Sequence, residues 1–407
     1  WTSLLESLYS NNITFVKHRS LNVISNGFYA RIVELEKLTK ELQWINYMVK
    51  NIFKIIFYNL SVFIFAILLV EVVFGGWFKK DNLGAYFREH RMKKVPYSIK
   101  YNDRQYDFTY LRNYHGFIGE EIDLSKIHTV FIGGSTADER WKPRNLSIVE
   151  QLNNNFQNDL KDIRIINAGI EGQSTIGYIA NFKFWFPKLK NFKPKYFIFY
   201  TGINDLFRED YNTYDYSDGM AKLIEKDKNQ RLQDDLKSKS IVYDTVRKAK
   251  HKYYAREEKI FMDLDEGIKK YPTDDYAKSV LNNKPYNYLV FNKAMENTNM
   301  GELIKKEKEF IEFFLKNIDI LANSSKKYSA TPIFLNQATA YGANIERHLA
   351  INYALKKHCI KKKYVCIDFA NSFEGKLEYW YDGTHTTPLG SKVMADKIYP
   401  YLKEILK

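Results

Sequence analysis

The fold is decided by the stretch Thr129-Val130-Phe131-Ile132-Gly133-Gly134-Ser135-Thr136. An apolar, β-branched run ends in two glycines and a serine, and a helical pattern follows. This predicts a buried strand, a tight turn and the start of a helix, with the hydroxyl of Ser135 at the crest. That hydroxyl can serve as a helix N-cap. It can also serve as a nucleophile, if the chain supplies a base, an orienting acid and oxyanion donors elsewhere.

Strand and helix patterns alternate from residue 127 to the end of the chain. The predicted strands are 127–132, 163–168, 195–201, 331–336 and 364–369. The predicted helices are 145–160, 174–189, 302–324, 344–360 and 389–406. This alternation predicts an α/β domain over 127–407, with a parallel five-stranded sheet flanked by helices on both faces. The functional loops are then expected at the carboxyl ends of the strands.

The segment 206–300 interrupts this alternation. It is rich in Lys, Asp, Glu and Tyr and shows no clear strand pattern. It is too long for a simple connection. We interpret it as a helical insertion that caps the site, and a solvated excursion is the alternative.

The region before residue 127 divides into three segments. Residues 55–78 are apolar with Glu71 as the one ionisable side chain, and this length predicts a transmembrane helix over 51–78, against the alternative of a buried core helix. Residues 1–50 form an amphipathic N-terminal segment, and residues 79–126 form a polar, aromatic connector. Lys and Arg are more numerous in the 20 or so residues after the run than before it, which weakly favours a cytoplasmic C-terminal part.

The composition argues against several classes of protein. The formal net charge is +14, but the basic residues are spread along the chain and no RNA-binding or zinc motif accompanies them, so we predict solvated faces and no nucleic-acid partner. Phosphate loops, dinucleotide fingerprints and paired metal-ligand motifs are absent from the sequence, and no cofactor or metal is predicted. Cys359 and Cys366 leave a single bridge possible.

Four short blocks follow the predicted strand ends. They are Gly133-Gly134-Ser135, Asn167-Ala168-Gly169, Gly202-Ile203-Asn204-Asp205 and Asp382-Gly383-Thr384-His385. In this order they resemble the blocks of the SGNH (GDSL-type) hydrolase superfamily, whose fold is a flavodoxin-like three-layer α/β sandwich. The resemblance covers about 127–406 without the insertion. Gly134 departs from it, because the family has Asp there.

The resemblance implies a role for each matching residue. Ser135 is the expected nucleophile, His385 the general base and Asp382 the acid that orients His385. The expected oxyanion donors are the backbone N–H groups of Ser135 and Gly169 and the side-chain amide of Asn204. These roles agree with elementary chemistry, because a serine hydroxyl needs a base within hydrogen-bond reach.

Four neighbouring residues have less specific interpretations. Asp205 is interpreted as structural. Glu139, Arg140 and Gln173 lie near the site in sequence and could touch substrate, although surface roles are favoured for them.

The favoured function is a membrane-anchored serine esterase or O-acyltransferase with an acyl-serine intermediate. By resemblance, its substrate is an acylated or acceptor carbohydrate of the cell envelope, its acyl group is small, such as acetyl, and its catalytic domain lies outside the cytoplasm beside partners in polysaccharide synthesis. The alternative is a catalytically silent glycan-binding or assembly module of a membrane polysaccharide complex.

Overall fold

The computed structural model describes residues 22–78, 83, 87, 90–160, 162–206, 220–226, 228–254, 259–270, 298–339, 345–373 and 376–407. The chain divides into two units, Trp1–Phe74 and Gly75–Lys407.

The first unit is dominated by one long helix, α1, over Asn22–Phe74. The sequence predicts an amphipathic segment followed by a separate apolar helix, whereas the structure joins them without a break. The section Arg31–Phe74 contains an 18-residue window of mean hydropathy 2.4, and none of that window is buried. By length and composition this helix could cross a membrane, since about 20 apolar residues suffice.

The second unit is built on a parallel five-stranded sheet. Its strands are β3 (Thr129–Ile132), β4 (Ile165–Asn167), β5 (Tyr196–Thr201), β7 (Thr331–Asn336) and β8 (Val365–Ile367). Their spatial order is β4-β3-β5-β7-β8, and every neighbouring pair is parallel. All four residues of β3 are buried, which is the pattern of a strand covered on both faces. The predicted α/β sheet is therefore confirmed.

Helices cover this sheet and supply most of the remaining core. They are α2 (Ser135–Asp138), α3 (Ile148–Asp159), α4 (Thr175–Ala180), α9 (Met300–Lys306), α10 (Lys308–Lys326), α11 (Ile345–Lys362), α12 (Phe369–Ser372) and α13 (Pro388–Leu406). A π-helical turn and a 3₁₀ turn continue α4 to Lys188. Buried aromatic side chains fill the interior, and the rings of Phe199 and Phe334 stack across β5 and β7 with centroids 5.2 Å apart.

A second sheet, which the sequence analysis does not anticipate, lies outside this core. The antiparallel strands β1 (Lys93–Tyr101) and β2 (Arg104–Arg112) form a hairpin, and β6 (Ile260–Asp263) adds in parallel to β1. The connector and the insertion therefore share a sheet. The insertion also contains α5 (Lys222–Glu225), α6 (Lys228–Lys239), α7 (Ile241–Tyr254) and α8 (Leu264–Lys270).

Part of the insertion reaches the block predicted to carry the base. Leu264 of α8 packs in a buried cluster with Ile99, Tyr101 and Tyr381. A Cβ on Gly267 would lie 2.6 Å from the carbonyl oxygen of Tyr381, so a glycine permits this close approach. Segments 207–219 and 271–297, which belong to the predicted cap, lie outside the described residues.

One covalent link ties the last strand to its preceding helix. Cys359 in α11 and Cys366 in β8 form a disulfide across seven residues. The sequence left this pairing open.

Candidate active site

Ser135 stands where β3 ends and a single helical turn begins. The backbone N–H groups of Ala137 and Asp138 donate to the carbonyl of Gly134, at 3.0 and 2.9 Å, and Glu139 N–H donates to the carbonyl of Ser135 at 2.9 Å. The N–H of Ser135 belongs to the first residue of the turn, where a helix offers it no acceptor. The turn therefore presents both the hydroxyl and the backbone N–H of Ser135 at the carboxyl edge of the sheet.

His385 and Asp382 complete a relay with this hydroxyl. His385 Nε2 lies 2.7 Å from Ser135 Oγ, and His385 Nδ1 lies 2.7 Å from Asp382 Oδ2. The ring of His385 stacks on Tyr381, with centroids 5.6 Å apart and planes 12° apart. Three predicted residues separated by up to 250 positions thus meet in the geometry of a serine, a base and an orienting acid.

The carboxylate of Asp382 is held by its own turn. Its Oδ1 accepts backbone N–H bonds from Thr384 at 2.8 Å and His385 at 2.6 Å. Burial works to raise the pKa of Asp382, but the hydrogen bond and charge of His385 and these backbone N–H groups outweigh it, and the pKa is lowered. Asp382 is therefore ionised at neutral pH and favours the Nδ1–H tautomer of His385, which leaves Nε2 free to take the serine proton.

The helix that follows fixes the end of this turn. Thr387 caps α13 by accepting the N–H of Gly390 at 3.1 Å, and Pro388 occupies its first position. Proline suits that position because its missing N–H would have no partner there. His385 is thereby placed two residues before Thr387, the N-cap of this helix.

Asn204 is brought beside the nucleophile turn. It lies in a 3₁₀ turn after β5, entered through Gly202 at φ +130°. Its Nδ2 donates to the carbonyl of Gln173 at 2.9 Å, and a Cβ on Gly134 would lie 1.9 Å from the same Nδ2. A residue without a Cβ is therefore needed at position 134 for the Asn204 amide to lie here. This is a physical reason for the departure from Gly-Asp-Ser.

A buried glutamine holds the serine and asparagine turns together. Gln337 follows β7 directly; its Nε2 donates to Thr136 Oγ1 at 2.6 Å, and its Oε1 accepts the N–H of Ile203 at 2.7 Å. The residues on either side of this link are the neighbours of Ser135 and Asn204. None of the four sequence blocks includes Gln337, although its place at a strand end is a usable signal.

Gly169 does not take the place that the resemblance implies. Its N–H donates to Asn167 Oδ1 at 2.8 Å, and its carbonyl accepts both terminal nitrogens of Arg112 at 2.9 Å. A Cβ there would lie 2.5 Å from the backbone nitrogen of Asp138. Gly169 thus packs on the end of the nucleophile turn, and its N–H is already bonded to Asn167. The prediction that Gly169 is an oxyanion donor is therefore wrong.

A second glycine of the same segment has the features that Gly169 lacks. Gly172 is buried, adopts φ +70° and directly precedes Gln173, whose carbonyl meets Asn204. Within the described part of the chain, the N–H of Gly172 donates to no acceptor. We therefore take Gly172 as the candidate backbone donor on this side.

The remaining residues near the site are structural in part. Asp205 is buried and accepts the N–H and hydroxyl of Thr175, in keeping with its structural interpretation. Glu139 and Gln173 are buried, at 7% and 1% exposure, so a surface role is wrong for both. Arg140 is partly exposed and pairs with Asp138 and Glu171.

No cluster of three or more His, Cys, Asp or Glu that could hold a metal occurs among the residues described above.

Known proteins are similar to this chain in structure but not in sequence. No protein-family model and no curated protein sequence matches it. Among solved structures, it is similar to an acetylxylan esterase from Geobacillus stearothermophilus (12% identity, TM-score 0.37, covering 68% of this chain and 94% of that one). It is also similar to the psychrotrophic esterase EstA from Pseudoalteromonas (11%, 0.37, 69% and 98%) and to a lipolytic G-D-S-L family protein from Desulfitobacterium hafniense (11%, 0.36, 67% and 98%).

Identities of 11–12% and TM-scores of 0.36–0.37 are too low to assign this chain to the family of these proteins. At this level of likeness, the chemistry depends on the site's own atoms.

Proposed function

We propose that the protein is a serine esterase or O-acyltransferase that works through an acyl-Ser135 intermediate. The observation that carries this proposal is the continuous Ser135–His385–Asp382 hydrogen-bonded relay, with 2.7 Å at each link. A structural serine or histidine has no need of an ionised carboxylate bonded to the far side of the ring. The arrangement is that of an activated hydroxyl.

The reaction follows from this geometry. Ser135 Oγ attacks the carbonyl carbon of an ester while His385 Nε2 takes its proton, and Asp382 stabilises the resulting imidazolium. The tetrahedral oxyanion is met by the N–H of Ser135, the amide of Asn204 and the N–H of Gly172. His385 then returns the proton to the departing alkoxide, leaving the acyl group on Ser135.

The second half of the reaction decides between the two activities. His385 deprotonates an acceptor hydroxyl, which attacks the acyl-serine and releases free Ser135. Water as acceptor makes the protein a deacylase, and a sugar hydroxyl makes it an O-acyltransferase. We propose a small acyl group, such as acetyl, on a cell-envelope or exported polysaccharide. The acetylxylan esterase among the similar structures acts on a substrate of this kind, which is an analogy only.

The proposed location is a membrane surface, with the catalytic unit outside the cytoplasm. The apolar helix α1 supports an anchor, because it is long enough to span a bilayer and carries its apolar side chains exposed. The Cys359–Cys366 disulfide supports an oxidising compartment, because such bonds are rare in the cytosol.

Fluorophosphonate labelling of the purified full chain tests the nucleophile. We expect the wild type to be labelled and Ser135→Ala to be unlabelled, with Ser125→Ala as a matched control because Ser125 is exposed. Equal labelling of the wild type and Ser135→Ala would overturn the assignment. Release of acetate from an aryl acetate, with and without an acceptor sugar, then separates hydrolysis from transfer.

A silent glycan-binding module is the alternative function. It is tested by His385→Ala, which should abolish turnover of the aryl acetate, by about 10⁴-fold or more. If the wild type itself turned over no ester and formed no fluorophosphonate adduct, the silent module would be the better description.

A further inference from the structure

A buried ion pair lies directly behind the catalytic relay. Lys142 Nζ lies 2.7 Å from Glu139 Oε1, and each side chain is only 2% exposed. Glu139 is also the residue that ends the nucleophile turn, where it adopts the left-handed conformation at φ +47°. A non-glycine residue in this region carries backbone strain, and such strain persists where surrounding contacts fix it.

The pair reaches across to the segment that follows the catalytic histidine. Lys142 Nζ donates to the carbonyl of Thr386, to Thr386 Oγ1 at 2.9 Å and to Ser391 Oγ at 2.7 Å. Glu139 Oε1 accepts the hydroxyls of the same two residues, at 2.9 and 2.6 Å. Its Oε2 accepts the backbone N–H of Ile148. Every polar atom of the pair is thereby satisfied.

These contacts form a second bridge between the nucleophile and the base. Glu139 N–H is bonded to the carbonyl of Ser135, and Lys142 is bonded to the carbonyl of the residue after His385. The two ends are about 250 residues apart in sequence, and their direct link is the single Ser135–His385 hydrogen bond. The buried pair is thus placed to set the length of that bond.

Stability alone is a poor explanation of such a pair. Replacing a buried ion pair by well-packed apolar side chains is often neutral or stabilising, because two charges lose their hydration. Five hydrogen bonds of this pair reach Thr386 and Ser391, beyond the catalytic histidine, which suggests a role in geometry and charge.

We propose that Glu139 and Lys142 are positioning residues that align Ser135 with His385 and keep the charge behind the Asp382–His385 pair at zero. This inference rests on the proposed function. Among the described residues, the other charged or titratable groups around the relay and the pair include Tyr381, Tyr200, Arg140 and Glu171, which remain unchanged in the variants below. Asp382 is within electrostatic reach of Lys142: burial lowers the pKa of Lys142, whereas Glu139 and Asp382 act to raise it.

Removing the charge of Glu139 and removing the charge of Lys142 should have opposite electrostatic effects on His385. Glu139→Gln removes a negative charge beside the relay, which disfavours the imidazolium form of His385 and moves the acid limb of the kcat/KM profile to lower pH. Lys142→Met leaves a negative charge and moves that limb to higher pH. A role confined to folding has no reason to produce shifts of opposite sign.

The test measures this limb for aryl acetate hydrolysis in the wild type, both single variants and the double variant Glu139→Gln/Lys142→Met. We expect opposite shifts in the singles, a limb close to wild type in the double, and fluorophosphonate labelling about ten-fold slower in each single. Acid limbs that coincide in all four proteins, or singles that shift in the same direction, would overturn the proposal. A wild type that is not labelled would instead overturn the proposed function.

A milder variant covers the case in which the singles do not fold. Ser391→Ala removes one hydroxyl from both charged partners and leaves the charges in place. We expect labelling slowed by a few-fold at an unchanged acid limb. Labelling at the wild-type rate by folded Ser391→Ala, with neither single variant folded, would count against an aligning role.

Discussion

The two halves of the candidate site differ in how complete they are. The proton-transfer half is closed: Ser135, His385 and Asp382 are already joined at 2.7 Å per link. In the oxyanion half, the amide of Asn204 donates to the carbonyl of Gln173, and the N–H of Gly172 donates to no acceptor among the described residues. The acid and the base of the first half share one four-residue turn, whereas the oxyanion donors lie on loops that follow three different strands. The Asp382–His385 pair is therefore a local motif, while the oxyanion donors depend on how separate loops pack.

The largest effect on kcat is expected from replacing Asp382, the acid of the proton-transfer half. Asp382→Asn should lower kcat by about 10⁴-fold, because the amide can donate to Nδ1 and favour the wrong tautomer of His385. Steady-state hydrolysis of an aryl acetate measures this. Asp123→Asn, at an exposed carboxylate, is the control. A loss below ten-fold would show that Asp382 does not orient the base.

Removing a donor from the oxyanion half should lower kcat less than replacing Asp382 does. Asn204→Ala should lower kcat by about 10²–10³-fold, which corresponds to roughly 2.7–4 kcal/mol for one oxyanion donor. The KM should change little, because the interaction strengthens only in the transition state. Asn154→Ala, on the exposed face of α3, controls for a general effect of losing an asparagine. An effect on KM alone would assign Asn204 to ground-state binding.

The neighbouring glycine allows a sharper version of this test. Gly134→Ala should lower kcat by displacing the amide of Asn204, since the new methyl would lie 1.9 Å from Nδ2. In the double variant Gly134→Ala/Asn204→Ala the methyl meets no amide, so the two losses should not add. Strictly additive losses would mean that Gly134 acts independently of Asn204.

The sequence was sufficient for features that depend on short-range patterns. The five strands of the sheet are runs of β-branched and aromatic residues, and their observed positions lie within the predicted ones. Asp382 and His385 could be paired from the sequence because a spacing of three residues on one turn brings the carboxylate next to the imidazole ring. The position of the Ser135 hydroxyl at a strand end could be predicted because an apolar run, two glycines and a helical pattern follow one another in the sequence.

The features that were missed depend on contacts distant in sequence. Strand β6 pairs with β1 across about 160 residues, and four residues give too short a pattern to reveal it. The choice between Gly169 and Gly172 depends on where the side chain of Asn167 points. The burial of Glu139 depends on Lys142 and on Thr386, about 250 positions away.

The assignment of Gly169 can be tested through its partner. Asn167 accepts the N–H of Gly169 and donates to the carbonyl of Ala137 at 2.7 Å. Asn167→Ala removes both bonds, and we expect the free energy of unfolding to fall by about 1–3 kcal/mol, because buried polar groups are left unpaired. Denaturant unfolding measures it, and kcat should not rise. A rise in kcat would show that the released N–H of Gly169 stabilises the oxyanion, contrary to the structure.

The smallest effect concerns how the free energy of unfolding depends on pH through Asp382. The pKa of Asp382 is lowered on folding, so its ionised form stabilises the native state above its unfolded pKa of about 3.9, and this contribution is lost as pH falls through the lower folded pKa. The difference in unfolding free energy between wild type and Asp382→Asn should therefore shrink between about pH 4 and pH 2. The other carboxylates titrate in both proteins and largely cancel. The side chain is 44% exposed, which keeps the effect small through solvent screening. A difference that stays constant to pH 2 would mean that the Asp382–His385 contact does not favour the ionised carboxylate.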